Sequence, residues 1–441
     1  MKRQLGSEAI VVGAGMGGLA AAAALSPHFK RVSVIEKDDP GDGRSPRVGV
    51  GQGAHTHTLL KGGEVSLESL LPGFTEALYK AGGVPLRVGM DVQFLDFGGV
   101  MPDCDTGFDI TAMSRPLYET VLRDKVRALG NVDMRFEAPV KRFTVAGGRC
   151  TGIELEDGKK LAADLVVDAT GMNGPLAAQL AEDGHAAFAT EAVKINVAYV
   201  TAKFRQPAHY RGERKGFFVL PGPPSPYFGL MLPIEDNQWI VSLGGRGTNI
   251  PPRELAGFRE YASKYPSHDI YNRIKDAEPT SDFRLFRKTF ATRRRFDQAG
   301  NWPQRLIPIG DAMSSVNPTY GQGMSVAAMQ AGELAKQLGA HDSLDGLAKA
   351  FLAPAFEISQ RAWGLAINSD YVYPETEGER PPNFQVSRTI AEVLRRLAQD
   401  DVEFRLFRLR LGQMVETDAP LREGPLAMKF FAALQGSMKP A

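Results

Sequence analysis

Six consecutive residues, Gly13-Ala14-Gly15-Met16-Gly17-Gly18, have the spacing G-x-G-x-x-G. Glycine at those steps permits a tight turn, lets backbone N–H groups approach a pyrophosphate and lets a helix pack closely on a strand. A helix opening there points partial positive charge at phosphates. Glu36 follows about 20 residues on, where a carboxylate can accept two ribose hydroxyls. Together these residues suit the ADP half of a dinucleotide, which NAD and FAD share. FAD continues into a ribityl chain and a three-ring flavin, so it needs further groups far along the sequence. Gly310-Asp311 offers a carboxylate for ribityl hydroxyls. Asn317-Pro318-Thr319-Tyr320-Gly321-Gln322-Gly323 opens a helix whose amides and dipole would face negative charge developing at the flavin N1–C2=O edge.

The elements around these residues can be read from their patterning. Glu8 to Val12 is a short apolar run ending in glycine, as a buried parallel strand requires. Met16 to Leu25 is alanine-rich and helical, stopped by Ser26-Pro27, and Arg31 to Ile35 is β-branched. Strand, glycine turn, helix and strand make one βαβ unit. Gly41 to Gly63 is glycine-rich and irregular. Ser114-Arg115-Pro116 opens a helix to about Leu129, with serine able to cap it and proline suited to its first turn. Short strands from Val132 to Val167 read as a meander ending in a buried strand, Asp164-Leu-Val-Val-Asp168-Ala-Thr-Gly171. From about His185 to Phe290, strand-like runs alternate with Pro/Gly turns, which predicts an inserted antiparallel sheet. One more apolar strand, Arg305 to Ile309, precedes Gly310-Asp311, and a helix runs from about Gln322 to Leu338. The rest is helical, interrupted at Tyr373 to Asn383. The expected organisation is 1–184 and 291–345 as one nucleotide-binding domain, with 85–110 open to joining the substrate domain at 185–290, and a helical region at 346–441.

Composition narrows the function classes. The 441 residues are 43% hydrophobic and 23% charged, enough apolar material for a large core and unlike a disordered chain. Lys+Arg number 52 against 51 Asp+Glu, so no broad field exists for nucleic acid or an anionic membrane. Cys104 and Cys150 are too few for a disulfide framework or a four-cysteine metal site, and a cytoplasmic location is expected. Mean hydropathy is -0.20, and no uninterrupted apolar run of about 18 residues predicts a membrane span. Lys2 and Arg3 before an apolar stretch mimic a secretory signal, but Gly13, Gly15, Gly17 and Gly18 break it.

With these motifs assembled, the chain resembles the FAD-dependent monooxygenases of the aromatic-hydroxylase (group A flavoprotein) type. The resemblance implies an α/β fold: a glutathione-reductase-like, Rossmann-type FAD domain with an inserted antiparallel-sheet substrate domain and C-terminal helices. Likeness continues through Arg47-Val-Gly-Val-Gly-Gln-Gly-Ala-His55-Thr-His57 and Ser114-Arg115-Pro-Leu-Tyr-Glu119, which are similar to a bacterial subgroup that includes polyketide epoxidases. It implies that Gly13, Gly15, Gly18 and Glu36 bind the ADP half, with Lys37 and Arg47 as further cofactor-binding residues. It places Arg115 at the phosphates or ribityl chain, Asp168 and Gly171 in the middle motif, and Gly310 and Asp311 at the ribityl chain. Pro318 would lie beside the isoalloxazine, with Gly321, Gln322 and Gly323 at its pyrimidine edge and Met324 as a further cofactor-binding residue. One departure stands out. The hydroxylases have Asp-Gly followed by serine and arginine in the middle motif, and this chain has Asp168-Ala-Thr-Gly171-Met-Asn-Gly-Pro. The tryptophan pair of flavin halogenases is missing, since Trp239, Trp302 and Trp363 stand alone.

The implied reaction is insertion of one oxygen atom from O2 into an apolar, aromatic or polyketide-like small molecule, by hydroxylation or epoxidation through a flavin C4a-hydroperoxide. NADH or NADPH would bind transiently as reductant, or a partner flavin reductase would supply reduced flavin, because only one glycine fingerprint is present. Two alternatives share the fold: a flavin reductase of prenyl double bonds, and a non-catalytic escort protein of prenylated GTPases. His55 and His57 share a face if their segment is extended and are either neighbours of flavin or substrate or structural hydrogen-bonders. They lack partners for a metal site, and no metal is expected. Arg284 to Arg295 carries six basic residues, read as a solvated strand or as a nicotinamide phosphate site. Tyr227, Gly229 and Met231 would share one strand face, where the glycine gap could admit a ligand or pack as ordinary sheet.

Overall fold

The computed structural model describes residues 3–47, 49–96, 99–185, 187–207, 214–220, 222–223 and 225–437. Its first layer is a five-stranded sheet in the order Leu306–Pro308, Leu165–Asp168, Gly6–Val12, Phe29–Ile35, Val132–Arg135, every pair parallel. Parallel strands covered on both faces must be apolar throughout, and Leu165–Asp168 is buried at each position. The helix Met16–Leu25 crosses one face and buries all its residues but Gly17. Its small side chains allow close approach to the helix Gly323–Ala340, where a Cβ on Gly17 would stand 3.3 Å from the Ala327 Cβ. Pro27 stops it because proline lacks the N–H that continues a helix. A small antiparallel sheet, Val140–Ala146, Arg149–Leu155 and Lys160–Ala162, forms the expected meander.

The helix Arg115–Arg127 carries Pro116 in its first turn, but the Ser114 cap is not made. Ser114 Oγ is buried without a partner, while its N–H donates to Glu235 at 2.9 Å.

The second large layer has eight strands in the order Ser314–Ser315, Arg284–Arg294, Thr190–Arg205, Gln238–Arg246, Phe228–Ile234, Gly216–Val219, Val92–Asp96, Gly99–Val100. At both edges it takes strands from outside 185–290, at one of them from the 85–110 stretch that the sequence left open to this domain. Val92–Asp96 joins it parallel to Gly216–Val219, and Ser314–Ser315 returns from the nucleotide domain to pair at the other edge. Two helices, Leu255–Ser263 and Asp269–Ile274, cover one face, where strand patterning predicted none. The C-terminal part is helical: Leu347–Asp370, Phe384–Asp400, Val402–Gly412 and Pro425–Ser437. Among the described residues no helix is long and apolar enough to cross a membrane, and no cluster of three or more His, Cys, Asp or Glu could hold a metal ion.

Candidate functional site

Strand register brings the separated motifs to one edge. Val12 is level with Ile35 and Asp168, and Asp168 with Pro308. The segments that follow, Gly13 to Gly18, Glu36, Ala169 to Gly171 and Gly310-Asp311, therefore all leave the carboxyl end of the parallel sheet, where such sheets bind ligands. Ile309 N–H donates to the Asp168 carbonyl at 2.9 Å and Ala169 N–H to the Val12 carbonyl at 2.9 Å, tying the loops together.

Each fingerprint glycine has its own reason. Gly13 has φ +104°, and a Cβ there would lie 2.5 Å from the Ala169 carbonyl oxygen. A Cβ on Gly18 would lie 1.9 Å from the Gly13 carbonyl oxygen, so any side chain would push helix from strand. A Cβ on Gly15 would meet nothing within 4 Å, which leaves the mouth of the helix open to a ligand.

Glu36 is buried. It accepts N–H groups from Ala14 at 2.7 Å and Asp38 at 3.1 Å, with Arg47 at 3.2 Å. Arg47 also meets Glu119 at 3.0 Å, and Glu119 meets Arg115 at 2.8 Å. Burial works against the Glu119 carboxylate, yet Arg115 and Arg47 hold it below its ordinary range. Arg115, Glu119 and Arg123 are four apart on one helix face and line a cavity with Arg47. Arg123 is only 4% exposed and its Nε has no partner. Three guanidinium groups thus face two carboxylates, a surplus that suits a diphosphate. Lys37 does not join this cluster: its side chain is 64% exposed, 3.5 Å from Asp38.

At the other end of the edge, Asp311 lies near both Gly171 and Gly323. A Cβ on Gly171 would be 4.0 Å from the Asp311 Cβ, and one on Gly323 would be 3.8 Å from Oδ1. Ser315 Oγ donates to Asp311 at 3.1 Å and receives the Lys288 ammonium at 2.6 Å. Burial lowers the Lys288 pKa, while Asp311 opposes that shift. Arg294 donates to the carbonyls of Met172 at 2.7 Å and Ala312 at 2.9 Å, clasping two of the loops. The basic run is therefore not simply a solvated strand, because Lys288 and Arg294 turn inward; Arg293 and Arg295 pair with Glu191. Asp168 is buried and pushed up to about 6 by desolvation, opposed by hydrogen bonds from Thr170 at 3.0 and 2.5 Å.

Pro318 opens a turn that ends at Gly321 with φ +68°, where a Cβ would meet Thr58 Oγ1 at 2.8 Å. Gln322 is 4% exposed, and its Oε1 is a buried acceptor without a partner among the described residues. The Met324 side chain packs into the nucleotide-domain core, so only its backbone is open to the helix mouth.

The open edge at Gly15, the surplus of guanidinium groups, the glycine cradle at Asp311 and the unsatisfied Gln322 acceptor fit FAD. The sequence could not have singled out Lys288 and Arg294, because their neighbours in the basic run are equally charged.

Tyr227, Gly229 and Met231 do not border this site. A Cβ on Gly229 would lie 2.6 Å from the Tyr265 ring, Tyr227 stacks on Tyr265 with centroids 5.6 Å apart, and Met231 is fully buried in the same cluster. The gap at glycine is filled by a protein ring carried on the segment after Leu255–Ser263. The opposite sheet face meets the His55-Thr56 loop of the nucleotide domain at Thr201 and Ser242, and packs its aromatic residues on the C-terminal helices. Cross-strand register sets Phe94, Phe218, Leu230, Ser242 and Thr201 in one row and Phe228, Gly244, Tyr199 and Phe286 in the next. His55 reaches this face: Nδ1 is 2.7 Å from Thr201 Oγ1, which is 2.5 Å from Ser242 Oγ, which is 2.8 Å from Thr56 Oγ1. The His55 ring is edge-on to Tyr199, centroids 4.8 Å apart. His57 Nδ1 bonds to the His55 carbonyl at 2.8 Å. Burial lowers His55 to about 4; burial, then the Arg115 charge, lowers His57 to about 3, so both imidazoles are neutral at pH 7.

Comparison with known proteins gives three kinds of match. Residues 7–359 match the family model described as an FAD binding domain. Protein Rv3254 of Mycobacterium tuberculosis (strain ATCC 25618 / H37Rv) is 31% identical over 352 residues, covering 76% of this chain and 73% of that protein. Among solved structures, the flavin-dependent brominase Bmp2 superposes with TM-score 0.66 at 16% identity, covering 98% of this chain and 99% of its own. PqsL of P. aeruginosa, in complex with 2-aminobenzoylacetate, gives 0.66 at 17% identity over 83% and 97%. The tetrameric form of 2-methyl-3-hydroxypyridine-5-carboxylic acid oxygenase gives 0.64 at 18% over 93% and 98%. At these identities the structural matches establish the shared fold.

Proposed function

This chain belongs to the FAD-binding family of flavoprotein monooxygenases, and from that premise we propose that it inserts one oxygen atom from O2 into an apolar, aromatic or polyketide-like molecule bearing an uncharged polar group. The observation that carries this reading is the sheet face that meets His55 of the nucleotide domain. That face carries Phe94, Phe218, Leu230, Phe228, Tyr199 and Phe286 around the neutral His55, Thr201 and Ser242.

Glu36 would take the adenosine ribose, and Arg47 and Arg115 the diphosphate. Asp311 would hold ribityl hydroxyls. Gln322 Oε1 would accept the flavin N3–H beside the helix amides that follow it. The reduced flavin supplies O2 activation and oxygen transfer. The aromatic walls would orient the substrate and exclude water. His55 would hydrogen-bond a substrate hydroxyl while Thr201 and Ser242 keep its ring in place. A nicotinamide nucleotide or a partner reductase would deliver the electrons.

The test is to follow NADH and NADPH oxidation by the purified chain across neutral aromatics and polyenes, with and without O2. Substrate-stimulated oxidation that needs O2, and a product carrying one oxygen atom from labelled O2, is expected. Turnover without O2 would contradict oxygen transfer and point to the double-bond reductase.

A further inference from the structure

The turn Asn317 to Gly321 leads into the helix assigned above to the flavin pyrimidine edge, and it is tied to a residue far outside the nucleotide domain. We propose that Asp370 is the positioning residue of this turn, and that the C-terminal helices are part of the cofactor site through it. This inference rests on the cofactor placement given under Proposed function.

Asp370 ends the helix Leu347–Asp370 and is fully buried. Its Oδ1 accepts from Asn317 Nδ2 at 2.8 Å and from the Tyr320 hydroxyl at 3.3 Å, and it is paired with the Arg246 guanidinium. Asn317 is itself fully buried and turns its Oδ1 back to the Thr319 N–H at 3.1 Å, closing the turn. Arg246 comes from the last position of the strand Gln238–Arg246 and lies over the Tyr373 ring, 4.2 Å from its centroid. One carboxylate oxygen therefore joins the substrate sheet, the flavin-edge turn and the C-terminal helices.

Three features separate this tie from an ordinary structural contact. Burying a guanidinium and a carboxylate costs several kcal/mol per ion, which apolar packing would avoid. The cluster is also left under-satisfied, since Asp370 Oδ2 and Arg246 Nε and Nη1 have no hydrogen-bond partner among the described residues. Moreover Asp370 lies beyond residues 7–359, the span that the family model matches. On this proposal a segment outside that span sets the path of the turn that would meet the flavin.

Asn317→Ala and Tyr320→Phe cut the tie while leaving Arg246 and Asp370 paired, so both variants should fold. Asp370→Asn tests the charge directly. Each is made in the full chain and compared with wild type for thermal midpoint, FAD dissociation constant by fluorescence titration, and midpoint potential of the bound flavin. Expected are a thermal midpoint of the FAD-free chain close to wild type, FAD binding about tenfold weaker or more, and potentials shifted in the same direction in Asn317→Ala and Tyr320→Phe. Lower thermal midpoints with unchanged FAD affinity and potential would overturn the assignment and leave a structural prop only. If Asp370→Asn does not fold, the other two variants still decide. Failure of wild type to bind FAD would instead refute the underlying cofactor placement.

Discussion

Gly171 opens directly onto Asp311: a methyl group on Gly171 would stand 4.0 Å from the Asp311 Cβ, although 140 positions of sequence separate the two residues. The strands that precede them pair at Asp168 and Pro308, so backbone register rather than side-chain attraction brings them together. Among the described residues, the side-chain hydrogen bond to the Asp311 carboxylate comes from Ser315. Asp311→Ala should therefore keep the fold and lose most of its FAD. The ratio of visible flavin to protein absorbance checks this, with far-UV circular dichroism as the folding control; full occupancy would refute the ribityl role.

Glu36 is held ready by the Ala14 and Asp38 N–H groups, so little reorganisation is needed to meet a ribose. Glu36→Ala should weaken FAD by roughly 1–3 kcal/mol, the worth of a charged hydrogen-bond partner. Arg47 keeps Glu119 as partner in that variant, which limits the damage to folding. Titration of the FAD-free chain measures the effect, and an unchanged dissociation constant would remove Glu36 from the site.

Neighbours on one strand should behave oppositely. Met231 is fully buried against the cluster that includes Tyr261 and Tyr265, so Met231→Ala should cost about 2–5 kcal/mol of stability. Leu230 is half-buried on the face that meets His55, so Leu230→Ala should cost less stability and raise the KM for an apolar substrate. Urea unfolding together with steady-state kinetics separates the two; equal stability losses with unchanged KM would show that this face is ordinary core.

His55 gives the fold a defined acid sensitivity. An unfolded histidine titrates near 6.5 and folded His55 near 4. Between those values only the unfolded chain binds the proton, so falling pH favours unfolding. The contribution of His55 is whole above pH 6.5 and is lost as pH falls to 4, on the order of 3 kcal/mol. Asp168 acts in the opposite sense: its folded pKa is raised from 3.8 to about 6, so its contribution is whole below 3.8 and lost as pH rises through 6. Comparing wild type with His55→Asn cancels Asp168, which both share. The variant should lose about 3 kcal/mol less between pH 7 and pH 4 by urea denaturation, and parallel stability curves would contradict a buried neutral imidazole.

The nucleotide frame was legible in the sequence because backbone sterics impose it locally. Gly13 and Gly18 cannot carry a side chain where they sit, and Glu36 follows a strand whose end register places beside them. The residues of the proposed substrate face were less legible. The alternation in Phe228–Ile234 is clear, but nothing within that strand says which face meets the covering helices; Tyr265, 36 positions after Gly229, decides it. Ser114 has a capping residue's chemistry, yet its N–H is taken by Glu235 and the cap is not made. Lys288, Arg294 and Asp370 have no motif of their own, and each acquires its place only when distant elements pack together.

All of this depends on FAD lying along the sheet edge from Gly13 to Asp311. The decisive measurement is the visible absorption spectrum of the purified full chain, followed by titration of the stripped protein with FAD. A yellow protein that rebinds a single FAD per chain, with Asp311→Ala and Glu36→Ala both weakened, is the expected result. A folded, colourless chain that takes up no FAD would contradict it.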